Sequence, residues 1–188
     1  MKNYLTGLMT FLIFFLILLN SCRSDEDDFL KVYDYYGNPL NETFEIVGLP
    51  EVRLDSGYYP WKLYGNIING QMLIDFPDVK LELGSGNKYS MIYIEKKNSS
   101  SVKFGLYKST DYSERAYIYY STEDVFIPGY YDVKDGMNLK TGWNFVEEME
   151  NPKWSYGNDE PYHIYGLISQ NIYDFYKKGY RWFMELWK

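Results

Sequence analysis

The sequence predicts an all-β domain, an antiparallel sandwich or closed barrel-like sandwich of roughly 8 to 10 short strands, with a short helix near the C-terminus. Three observations predict it. Tyrosine occurs 22 times in 188 residues while alanine occurs once, at Ala116, a composition that favours pleated, half-buried backbone over helix. Short apolar or alternating runs recur at intervals of roughly 8 to 12 residues, each closed by Gly, Pro, Asn or Asp. Asn69-Gly70 stands between two apolar-rich runs, the chemistry of a two-residue hairpin turn with positive φ.

In chain order, Trp61 to Ile68 and Gln71 to Phe76 are the arms of that hairpin, closed by Pro77-Asp78, and Val79 to Leu83 is a short alternating run ending at Gly84-Ser85-Gly86. Lys88 to Glu95 and Ser101 to Tyr107 flank the polar loop 96–100, and Val102, Phe104 and Leu106 share one face of the second, so these two runs form another hairpin. Arg115 to Ser121 puts Ala116, Ile118 and Tyr120 on one side, and Val125 to Ile127 precedes a Pro-Gly turn. Further strands are expected at 130–133, 143–148 and 163–169. Asn171 to Lys177 fits one or two helical turns stopped by Gly179, before a last strand from Tyr180 to Trp187.

The first residues read as an address. Lys2 gives a positive start, an apolar stretch follows to Leu19, and Asn20 and Ser21 precede the chain's single cysteine, Cys22. The stretch from Tyr4 to Leu19 is shorter than the roughly 20 apolar residues that span a bilayer. Leu19-Asn20-Ser21-Cys22 resembles the lipobox of bacterial lipoproteins, although Asn20 departs from the small or apolar residue usual at its place. The resemblance covers residues 1–22 and implies a signal peptide over 1–21, cleavage ahead of Cys22, and acylation of that cysteine. Two or more acyl chains would hold the protein stably at a membrane. The implied location is the bacterial cell envelope, at the outer membrane, on its surface or its periplasmic face. Residues 22–28, with the acidic run Asp25-Glu26-Asp27-Asp28, form a solvated tether, and residues 29–188 a single β domain. Acidic runs just after the lipidated cysteine also resemble the surface-export signals of some outer-membrane lipoproteins.

Composition narrows the chemistry. A net charge of −7 repels phosphate backbones, so no nucleic-acid partner is expected. One cysteine and one histidine, His163, leave no disulfide, no multi-histidine metal site and no thiol nucleophile in the folded part. No serine sits in a Gly-x-Ser-x-Gly elbow, and Gly84 and Gly86 lack the lysine and third glycine of a phosphate loop. Asp132 to Gly136 and Asn158 to Glu160 are oxygen-rich but read as turns before they read as calcium loops. Glu147, Glu148, Asp159 and Glu160 are the acids a glycosidase reading would draw on, and their spacing pairs none of them. No catalytic residue, metal or cofactor is expected.

Aromatic load remains. Adjacent tyrosines in a strand point to opposite faces, so one of each pair is expected outside, where rings stack on sugars or dock a protein. Tyr58, Tyr59, Tyr119, Tyr130, Tyr131 and Trp154 are the candidate contacts. The expected function is a non-catalytic binding module for glycan, host protein or a neighbouring envelope component. A structural or assembly subunit of an envelope complex is the alternative, with an enzyme a distant third.

Overall fold

The structure, a computed structural model, describes residues 30–50, 62–76, 83, 86–108, 113–129, 136–153, 155–157 and 162–186. Twelve strands and one helix are present among them: β1 (Val32–Tyr33), β2 (Phe44–Pro50), β3 (Leu63–Ile68), β4 (Gln71–Ile74), β5 (Tyr89–Lys96), β6 (Ser99–Tyr107), β7 (Arg115–Ser121), β8 (Val125–Ile127), β9 (Met137–Leu139), β10 (Gly142–Glu150), β11 (His163–Ser169), α1 (Ile172–Lys177) and β12 (Arg181–Leu186). The all-β expectation holds, in its barrel-like form. Ten strands make one sheet, ordered β1-β12-β6-β7-β5-β2-β3-β4 with β10 and β11 branching from β7. Pairing is antiparallel except between β1 and β12. Lys31 bridges Gln71, the Val32 N–H donates to the Gly70 carbonyl at 2.8 Å and the Met72 N–H to the Leu30 carbonyl at 2.7 Å, so the ends of the path meet and the barrel nearly closes.

The Asn-Gly hairpin forms as expected, with Asn69 at φ 50° and Gly70 at φ 75°. Gly70 is required twice over, because a Cβ there would also run into the Leu40 carbonyl. The loop between β5 and β6 tightens to Lys97-Asn98, with Asn98 at φ 66°. For α1, the Asn171 side chain caps the N-terminus by accepting from the Tyr173 N–H. At the other end Gly179 sits at φ 95°, its N–H bonded to the Tyr176 carbonyl while the Tyr180 N–H reaches Phe175, the Schellman pattern that stops a helix.

Inside the barrel, residues such as Ile46, Ile67, Ile94, Leu106, Tyr120, Phe145, Phe175 and Trp182 form the main core. Each large apolar side chain so buried contributes about 1.5–3 kcal/mol. A second, smaller core lies on the outer face of β7 and β10, where Tyr119 and Val146 pack beneath Ile127, Met137 and Leu139 of the two-stranded β8–β9 sheet.

Strands β5, β6 and β7 meet in a fork. The first half of β5 pairs with β7 (Ile92 with Ile118), its second half pairs with β6 (Ile94 with Phe104), and the end of β6 pairs with β7 (Leu106 with Ala116). The sheet therefore divides, and between the three strands it leaves a hollow of about 30 Å³.

Candidate functional site

The outer face of the barrel gathers lysines, aromatic rings and a guanidinium. Leu63 points into the core, so alternation turns Lys62 and Tyr64 of the neighbouring positions outward, and the same rule turns Val47 out from β2 and Glu95 from β5. Together with Leu49, Lys96 and the Lys97-Asn98 turn they line a groove of about 390 Å³, within the size range of small-ligand sites. Its lining includes the apolar Val47 and Leu49 and the ring of Tyr64, a residue that is 62% exposed. Three lysines gather here on a chain of net charge −7. Lys97 pairs with Glu45 at 2.7 Å, and that hydrogen bond raises its pKa. Lys96 lies 4.7 Å from the centre of the Phe44 ring, and Lys62 makes no ion pair among the described residues. Ammonium groups, the Asn98 amide and the Ser99 hydroxyl give the groove hydrogen-bond donors beside the Tyr64 ring and the Glu95 carboxylate.

Across the Lys103–Glu95 ion pair, 3.8 Å long, the same face continues to the fork. Lys103 stands 4.5 Å from the centre of the Tyr93 ring, and Arg115 lies over Tyr117 at 4.0 Å and Tyr107 at 5.7 Å. Tyr107 donates to Glu185 at 2.6 Å, and burial pushes its pKa upward, so the phenol keeps its proton. Gly105 makes room for this platform, since a Cβ there would collide with the Tyr107 ring and the Glu185 carboxylate.

On the opposite face, Glu147 has no solvent exposure. Its carboxylate accepts from the Leu167 N–H at 2.8 Å, the Tyr180 hydroxyl at 2.8 Å and the Lys178 ammonium at 2.5 Å. Burial alone would raise its pKa, but these three donors together hold it below the usual carboxylate range. The contact needs a β-bulge, in which Gly166 and Leu167 of β11 face the single residue Glu147 of β10. Glu147 and Glu148 therefore occupy opposite faces of β10. Glu148 accepts from the Tyr117 hydroxyl at 3.5 Å and sits 3.7 Å from His163 Nδ1. A third cleft, of about 240 Å³, opens beside α1 between Leu30, Met72, Phe76 and Tyr176. Among the described residues no group of three or more His, Cys, Asp or Glu could hold a metal.

Of the residues singled out in the sequence, Cys22, Leu19, Asn20, Ser21, Tyr58, Tyr59, Tyr130, Tyr131 and Trp154 lie outside the described residues, as do Asp159, Glu160 and the run expected at 130–133. Tyr119 is described and corrects the expectation. It points away from Tyr120, as alternation demands, but it is only 7% exposed because β8 and β9 cover it. The groove around Tyr64 and the Arg115 platform had not been singled out; the available signal was Lys62 and Tyr64 flanking the inward Leu63 beside a firm Asn-Gly turn. Comparison with protein-family models, with curated proteins and with solved structures finds no match for this chain.

Proposed function

We propose that this chain is a lipid-anchored cell-envelope protein that binds glycan through its outer face and performs no catalysis. The observation that carries the reading is the groove over β2, β3 and β5, where an exposed tyrosine ring stands beside lysine, asparagine and serine donors. A ring face suits the C–H face of a sugar, and donors on its rim suit hydroxyl oxygens.

The test is binding of the full chain, in detergent micelles, to an immobilised glycan set, with Tyr64→Ala and Lys62→Ala beside the wild type. A bound glycan whose affinity falls about tenfold in Tyr64→Ala supports the proposal, since removal of a stacked ring costs on the order of 1 kcal/mol or more. Sedimentation of the same preparation addresses the other reading, an assembly subunit. It is favoured by β11, a seven-residue strand without lysine, arginine or proline whose second edge has no strand partner among the described residues. Stable oligomers with no glycan bound would overturn the first reading in favour of the second.

A further inference from the structure

Arg115 opens β7 at the fork, directly across from Glu148 of β10 in the pairing register. Opposite charges so placed can pair, yet no ion pair joins Arg115 and Glu148; the Glu148 carboxylate accepts from the Tyr117 hydroxyl at 3.5 Å and lies 3.7 Å from His163 Nδ1. Glu185, the acid that lines the hollow, accepts from the Tyr107 hydroxyl at 2.6 Å. Among the described residues no oxygen accepts from the Arg115 guanidinium, which is held only by the two tyrosine rings. The side chain is half-buried, so this is a guanidinium oriented by the protein and left with its donors unmet. Fixed forks of this kind match carboxylates in two-point contact.

We infer that Arg115 is the anchor for a carboxylate on the ligand, and hence that the glycan recognised on this face contains an acidic sugar. The inference rests on the glycan-binding reading and names the class of glycan. The hollow of about 30 Å³ admits a carboxylate's oxygens and leaves the sugar ring outside, against Tyr93 or Tyr117. Tyr93 lines the hollow and Glu95 lines the groove, two residues or about 7 Å along β5, so adjacent sugar units can engage both.

The test is an NMR titration of the ¹⁵N-labelled full chain in micelles, reading the Arg115 Nε–H signal and the backbone amides, with glucuronate and with glucose as probes. Glucuronate is expected to shift Arg115 and its neighbours Gly105 and Tyr117, and glucose to leave them unmoved. Arg115→Gln is expected to weaken glucuronate about tenfold or more, and Arg115→Lys, which keeps the charge but loses the fork, by about threefold. A silent Arg115, or equal affinity in either folded variant, overturns the anchor. Shifts confined to Tyr64 and the groove would leave glycan binding standing while removing the anchor. Shifts confined to the fork would leave the anchor standing while removing the Tyr64 groove from the binding face.

Discussion

A carboxylate with no access to water survives at Glu147 because each charge-bearing oxygen finds a donor: a main-chain N–H, a phenol and an ammonium. Removing one partner of such a group leaves the others desolvated, which costs several kcal/mol in a dry site and less here because Lys178 is 41% exposed. Glu147→Gln is expected to lower stability by about 3 kcal/mol at pH 7 in urea unfolding. The pH dependence has a definite sign. The folded carboxyl titrates below its ordinary value of 4.5, so its contribution is present above that value and is lost as pH falls through the lower folded one. The gap between wild type and Glu147→Gln should therefore narrow below about pH 4.5. A constant gap across that range would show that shape, not charge, sets the cost.

At the level of elements, the bulge in β11 and the carboxylate in β10 require one another. A Cβ at Gly166 would collide with the Glu147 carboxylate and the end of Met149. Gly166→Ala is expected to cost about 2–3 kcal/mol in the wild type and well under half of that in a Glu147→Ala background, because the nearer obstacle is then gone and the end of the flexible Met149 side chain can move aside. Additive losses in the double variant would rule the coupling out. Legibility from sequence also follows the elements. The β3–β4 hairpin was readable because Asn-Gly dictates its own turn, and β6 because Val102, Phe104 and Leu106 alternate against the polar and small residues between them. Strand β2 was missed because its neighbours β3 and β5 leave Ile46 and Val47 both buried, which erases alternation. Its Gly48, a strand breaker by habit, is there because a Cβ would strike Leu63. Strand β9 is three residues long and carries no period to read. The groove and the platform were not legible, since periodicity says which face a side chain takes and not which distant strand lies beside it. Lys62 and Ser99 come to share the groove, and Arg115 and Glu185 the hollow, only through the register of the sheet.

For the molecule as a whole, no helix among the described residues is long and apolar enough to cross a membrane. In the proposed reading the membrane attachment is through acyl chains on Cys22, and the acidic run after it is a solvated spacer. Cys22→Ala is expected to move the protein from the detergent phase to the aqueous phase in detergent partition and to abolish incorporation of labelled palmitate. Retention in the detergent phase without label would mean that the apolar stretch before Leu19 remains as the anchor.

The fork gives the molecule a further property, that of indivisibility. In a sandwich of two independent sheets, each half can be cut, swapped or duplicated as a block. Here one edge of β7 completes the pairing of both β5 and β6, while β10, with β11 beyond it, occupies the other edge. Any division of the chain between β6 and β7 would strip backbone partners from both remaining parts at once. Barrel and branch must therefore be inherited, engineered and lost together.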